Sequence, residues 1–219
     1  MANDFEDCVR AALDIWEQTK PADMEMPERL IRLMLPLVAL PEMNLMHLDM
    51  THDDPRDFRL NVPVRSLRFI KDGLALGEFE DQDYIRNVVL PHYLDAREAQ
   101  RPRVDTVTTQ MDTAHGRIFT VYDRIILPQK TSDSRSPWTV SFSRPRIMLP
   151  APEISPKLTQ REWEVLRFLS FGLSAKEIGV ELDLSPRTIE HRIESLRRKF
   201  SAKNVAHLIA LSVSCDLSD

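Results

Sequence analysis

Two capping boxes and a capped proline, all within residues 159–186, constrain this chain more than any other feature. Thr159 and Glu162 have the Thr-x-x-Glu spacing in which the hydroxyl accepts from a first-turn amide while the carboxylate reaches back to the cap amide. Ser174 and Glu177 repeat the pattern. Ser185 then precedes Pro186, which loses no hydrogen bond in a first turn. Three short helices with separate starts follow from this. In the first, Trp163, Leu166 and Leu169, with Val165 beside them, form an apolar stripe. Phe171-Gly172 ends it, because glycine relieves the left-handed C-terminal position. In the second, Ala175, Ile178, Gly179 and Leu182 share a face whose small residues let another helix approach closely. In the third, Ile189, Ile193, Leu196 and Phe200 recur at helical spacing and must point at a core.

The other side of the third helix is polar. Arg187, Glu190, His191, Glu194 and Arg198 fall opposite the apolar stripe, flanked by Arg192, Lys199 and Lys203. Residues 185–203 hold six Lys/Arg against two Glu, a local charge of +4. That excess is what a phosphate-facing element carries. Taken alone, the same charges also describe an ordinary solvated face. Two capped helices just upstream favour a helix-turn-helix that binds double-stranded DNA.

The segment resembles the LuxR/GerE family of helix-turn-helix domains. Leu158, Thr159, Arg161, Glu162, Glu164, Val165, Leu166, Gly172, Ser174, Lys176, Glu177, Ile178, Ser185, Thr188 and Lys199 match the family pattern, and Ile189, Leu196 and Phe200 match in character. The resemblance implies an all-α four-helix domain whose third helix enters the major groove. It implies base contacts from Glu190, His191 and Glu194, and phosphate contacts from Lys176, Ser185, Thr188 and Arg192, to which the outward Arg187 and Arg198 are added. A fourth helix from about Asn204 would pair with its twin in a homodimer through Val205, Leu208, Ile209 and Leu211, unless these residues only close the monomer core. The chain departs from the pattern at Gly179 (usually Ala), Arg192 (usually His) and Ser195 (usually Asn). Glu190 and Glu194 have the wrong sign for nonspecific attraction. They fit a reading face if they accept from cytosine amino groups, and otherwise suppress nonspecific binding.

The remaining length leaves room for a second domain of roughly 140 residues. From residue 151 onward there are ten basic and ten acidic residues, so the net −5 sits in residues 1–150 and that half should not bind DNA. Cys8 and Cys215 lie far apart without a CxxC zinc spacing, no apolar run reaches the length of a membrane span, and no secretion signal opens the chain. The expectation is a cytoplasmic protein in a reducing compartment, with no membrane association.

Phe5, Val9, Ala12, Leu13 and Trp16 predict an amphipathic first helix, capped by Asn3 or Asp4. Residues 28–40 predict a second, which Pro36 should kink or end. Residues 43–50 and 58–64 alternate as strands. Asp81 opens a helix to about Gln100, and residues 103–111 and 117–127 read as a hairpin around Ala114-His115-Gly116. Residues 138–143 form a last strand, and the polar loop 129–137 should be mobile. This order is similar to that of a PAS domain. The fold class is thus α+β: a PAS-like α/β sensor and dimerisation domain over residues 1–144, a stiff linker rich in proline over 145–157, and the LuxR-type domain over 158–219.

The PAS resemblance implies a cavity for a small-molecule ligand, which the sequence does not name. No cofactor is identified. A heme would need His92 or His115 as axial ligand, and a flavin-linking cysteine motif is absent. The cluster His47, Asp49, His52, Asp53 and Asp54 has metal-ligand chemistry but reads more simply as a polar strand end and turn. Without a nucleophile elbow or phosphate-binding glycine loop, the chain is read as a non-enzyme. The function expected is a bacterial transcription regulator that couples a sensed signal to dimeric binding of a two-fold symmetric DNA site. The alternatives are an anti-activator that sequesters another LuxR-type regulator, and an acyl-homoserine-lactone receptor.

Overall fold

The structure, a computed structural model, describes residues 5–38, 42–65, 71–153 and 156–216. The chain divides into two compact units. One comprises residues 1–114 and 120–147, the other residues 115–119 and 148–219. No helix among the described residues is long and apolar enough to cross a membrane.

The strands are β1 (Asn44–Asp49), β2 (Arg59–Val64), β3 (Leu74–Ala75), β4 (Arg103–Thr113), β5 (Gly116–Pro128) and β6 (Trp138–Pro150). They form one sheet in the order β3-β2-β1-β6-β5-β4, with β1 antiparallel to both β2 and β6. Helices α1 (Phe5–Gln18) and α2 (Pro27–Met34) cover one face, and α3 (Gln82–Tyr84) and α4 (Leu90–Ala99) belong to the other. Strand alternation sorts the cores. Leu45, Ile125, Leu127, Val140 and Phe142 pack with Phe5, Ala12, Leu30 and Met34. Leu48, Phe58 and Ile126 pack with Ile85, Tyr93 and Ala96.

Several expected elements are cut differently, each for a local reason. The proposed caps Asn3 and Asp4 lie outside the described residues. The second helix stops at Met34, and the chain tightens into a 3-10 turn over Leu35–Val38, because Pro36 has no N–H for the helical ladder. The helix expected from Asp81 is in three parts. Asp81 caps α3 by accepting from the Tyr84 amide at 2.9 Å, a π-helical turn follows over Ile85–Val89, and α4 ends at the left-handed Gln100. Pro91 removes the amide that would have continued a regular ladder back to Asn87.

The last strand does not stop at Ser143 but continues to Pro150, so the first half of the expected linker is extended strand. The β1–β6 register ends at Asn44 opposite Ser143. Beyond that point β6 has no pairing with β1 among the described residues, and Pro145 and Pro150 lie in that stretch. The loop 129–137 is tied down, contrary to expectation. Gln129 donates to Met24 O at 2.6 Å, Lys130 Nζ to Glu17 O at 2.8 Å and Thr19 O at 2.9 Å, and the Ser136 amide to Arg97 O at 3.1 Å. Composition marked it polar; its buried ends were invisible in one dimension. The His47–Asp54 side chains take separate partners. His47 bonds with Asn61, Asp49 accepts from Thr51, Asp53 from Arg135 and Asp54 from Arg56.

The largest fully buried side chain of this unit is a cation. Arg124 is 2% exposed, donates Nε and a terminal nitrogen to Asp105 at 3.0 and 2.9 Å, and lies against the rings of Tyr93 and Tyr122. Arg103 also bonds Asp105, and His92 Nδ1 lies 2.6 Å from the same carboxylate, with burial the main cause that lowers the His92 pKa. Burial pushes the Asp105 carboxyl up, but the Arg124 bonds and charge outweigh it, and the net pKa is lowered. Removing one partner of a buried pair costs about 3–5 kcal/mol, so Arg124→Met should destabilise this unit by that order in denaturant titration. A folded pKa below the unfolded one means stability that is present above the unfolded value and lost as pH falls through the folded one. Wild type should therefore lose stability below about pH 4, and Asp105→Asn should show a flatter acid limb in the same titration.

Candidate nucleic-acid interface

Four helices form the second unit's core: α5 (Gln160–Ser170), α6 (Ala175–Leu182), α7 (Pro186–Lys199) and α8 (Val205–Asp216). Both expected capping boxes are closed. The Glu162 amide donates to Thr159 Oγ1 at 3.3 Å, and the Thr159 amide to Glu162 Oε2 at 2.9 Å. The Glu177 amide donates to Ser174 Oγ at 3.4 Å, and the Ser174 amide to Glu177 Oε2 at 2.8 Å. Ser185 caps α7 by accepting from the Thr188 amide at 3.1 Å, with Pro186 in the first turn. Gly172, at φ +84°, ends α5 as expected.

The link between α6 and α7 is made by backbone. Asp183 is left-handed at φ 53°, and the Leu184 amide donates to Gly179 O at 2.9 Å. A Cβ on Gly179 would lie 2.7 Å from Leu184 O. The turn has closed onto glycine further than alanine allows. At its other end α7 is latched to α5. Lys199 Nζ donates to Glu162 Oε2 at 2.8 Å and to Lys157 O at 3.3 Å. The Lys199 bond is the main reason that the Glu162 carboxyl is held below its ordinary pKa, with the Thr159 amide next.

These constraints present one face of α7. Ile189 and Leu196 are fully buried, Phe200 nearly so, and Ile193 packs beside them. Arg187, Glu190, His191, Glu194 and Arg198 are all exposed, as the helical spacing predicts. Lys176 and Ser185 are exposed, and Thr188 and Arg192 are half-buried. Ser185 and Thr188 share a hydroxyl contact of 2.8 Å at the start of α7, where the helix dipole favours an anion.

Three residues depart from expectation. Trp163 is 43% exposed, because the buried face of α5 runs through Glu162, Val165, Leu166 and Leu169. Leu208 and Leu211, expected at a dimer interface, are buried in the unit's own core. The exposed apolar residues of α8 are instead Val205 and Val213, with Ile209 between them partly buried against the core. Lys199, a flanking cation in sequence, is bonded to Glu162, a pairing across 37 residues that no local pattern signals. The cap of α8 had a signal in Asn204, whose Oδ1 accepts from the His207 amide at 2.8 Å.

Residues 156–212 match the family model of bacterial regulatory proteins of the luxR family. They form a LuxR-family helix-turn-helix domain. The transcriptional activator protein BjaR1 of Bradyrhizobium diazoefficiens is 41% identical over 68 residues, covering 31% of this chain and 28% of that protein. The transcriptional regulatory protein FixJ of Rhizobium meliloti is 37% identical over 57 residues, covering 26% and 28%. The chain thus spans little more than a quarter of the length of these curated relatives. Among solved structures, a phage VqmA–DPO complex aligns with 87% of this chain and 91% of its own at 23% identity and a TM-score of 0.38.

Gly179 gives a direct test of the turn. Alanine gains about 1 kcal/mol of helix propensity over glycine, whereas overpacking costs about 1–3 kcal/mol. The nearest contact is a backbone oxygen, which cannot rotate away, so strain should win. Gly179→Ala should lower the thermal midpoint of the full chain, as read by circular dichroism; a raised midpoint would refute the tight turn.

Proposed function

We propose that this chain is a cytoplasmic bacterial transcription regulator of the LuxR type. It binds a roughly two-fold symmetric double-stranded DNA site as a homodimer, and its first unit senses a small-molecule signal. The observation that carries this reading is α7, a capped helix with a buried apolar stripe and an exposed face between flanking cations, set behind the tight turn of α6. Its action is binding without chemistry.

The proposed organisation is a sensor over residues 1–144, a connection over 145–157 and a DNA-binding head over 158–219. The order β2-β1-β6-β5-β4 and the helices between β2 and β4 support a PAS-like reading of the sensor, with β3 as a two-residue addition. Homodimerisation is assigned to the outer face of α8, where Val205 and Val213 are exposed and uncharged and Ile209 is half-buried between them. A signal bound by the sensor shifts DNA binding only through different affinity for the bound and free states.

The carboxylates of Glu190 and Glu194 favour one second reading, an anti-activator that pairs with another regulator and removes it from DNA. A gel shift with genomic fragments separates the two: the regulator retards specific fragments by itself, and the anti-activator retards none.

Two sets of variants test the assignment. Lys176→Ala and Arg192→Ala should each weaken binding to all DNA and lower the salt slope by about one; an unchanged slope removes them from the phosphate contacts. Val213→Asp should shift the full chain toward monomer in analytical ultracentrifugation while leaving its circular dichroism intact, because Val213 is exposed. A dimer that survives this change would move the interface away from α8.

A further inference from the structure

The exposed face of α7 carries two carboxylates, and the structure treats them differently. Glu194 accepts from Arg197 at 2.8 Å, and the same guanidinium donates to Lys203 O at 2.8 Å. Arg197 is thereby fixed at the exit of the helix and offers Glu194 a partner within α7. Glu190 is exposed and has no ion pair or hydrogen bond among the described residues. It lies one turn nearer the helix start, between Arg187 and Glu194 along the same face.

A carboxylate can only accept hydrogen bonds. In the major groove, guanine offers N7 and O6 and thymine offers O4, all acceptors, so a carboxylate is repelled at either base. Adenine offers its N6 amino group, but N7 beside it repels the second carboxylate oxygen. Cytosine offers the N4 amino group and, unlike adenine, has no acceptor of its own beside it on the groove edge. An unpaired carboxylate on a helix held between phosphate-binding cations therefore has one base that compensates it well.

We infer that Glu190 is the specificity-determining residue of this domain and selects cytosine at one position of each half-site, whereas Glu194 positions Arg197 and does not discriminate between bases. The inference rests on the reading of α7 as the helix that enters the major groove. It commits the target DNA to a symmetric pair of C·G base pairs, cytosine facing Glu190 and guanine opposite.

The test is a selection from randomised double-stranded DNA with the purified full-length chain and its Glu190→Gln, Glu190→Ala and Glu194→Ala variants, each checked by circular dichroism. Wild type should enrich a symmetric site with one fixed C·G pair in each half. Glutamine carries both a donor and an acceptor and suits adenine N6 and N7, so Glu190→Gln should move that position toward A·T. Glu190→Ala should lose its preference there, with the discrimination falling by about 5- to 100-fold in competition binding. Glu194→Ala should leave the base choice unchanged. A wild-type site that lacks the C·G pair, an unaltered preference in both folded Glu190 variants, or a base change in Glu194→Ala overturns this inference alone. Failure of wild type to enrich any site overturns the DNA-binding reading, and this inference with it.

Discussion

Presentation of the reading face depends on one backbone approach. Gly179 has its missing Cβ where a 2.7 Å contact with Leu184 O would otherwise form, and its carbonyl takes the Leu184 amide. The turn between α6 and α7 is therefore set by main-chain atoms, which are stiffer than side-chain packing. From that turn, Ser185 and Pro186 start α7 in a single direction. Ile189, Leu196 and Phe200 then fix its rotation by burying one stripe, and Lys199 fixes its far end through Glu162. Glu162 is thus both the closing residue of the first capping box and the anchor for the third helix. Local and tertiary bonds meet on one carboxylate, so the start of α5 and the end of α7 cannot loosen independently.

The first unit uses a different device. Its sheet has helices on both faces, so β1, the second half of β5 and the first half of β6 are mostly buried, and a buried polar group there must find a partner inside. Arg124 and Asp105 solve this with two parallel bonds, and the Tyr93 and Tyr122 rings cover the guanidinium. Tyr84 meets Tyr122 through their hydroxyls at 2.9 Å, and Tyr93 meets Ser141 at 2.8 Å. These bonds connect the helical middle to β5 and β6. Motion of α3 or α4 would have to break several at once, so a shift there is transmitted to those strands as a unit.

Most of the second unit was readable in one dimension because its information is local. A capping box spans four residues, a helical stripe repeats every three or four, and a C-terminal glycine marks its own position. Those signals placed the caps of α5, α6 and α7 and the outward residues Arg187, Glu190, His191, Glu194 and Arg198 where the structure has them. What periodicity did not decide was which of two apolar positions faces inward. Trp163 faces outward, and Leu208 and Leu211 take the second of their two readings and close the core, for that reason: a stripe wider than the buried face leaves the choice to tertiary packing. In the first unit, alternation marked the strands, but their ends depended on neighbours. The continuation of β6 past Ser143 depends on where β1 stops, and the order of loop 129–137 depends on Met24 and Arg97, distant in sequence.

The charge pattern follows the same division between local and tertiary causes. Counted along the sequence, residues 185–203 carry a formal +4. In the folded unit, Lys199 is bound to Glu162 and Arg197 to Glu194, which leaves Arg187, Arg192, Arg198 and Lys203 as the cations without such a pairing among the described residues. The field that meets DNA is weaker than the linear count and concentrated toward the edges of the face, with Glu190 at its centre. Nonspecific attraction scales with the number of phosphates neutralised, whereas base discrimination scales with the mismatch penalty at the groove edge. Pairing two cations inside the domain lowers the first quantity and leaves the second untouched. With α7 in the major groove as proposed, the arrangement would trade affinity for all DNA against selectivity for one sequence, through the pairings of Glu162 and Glu194.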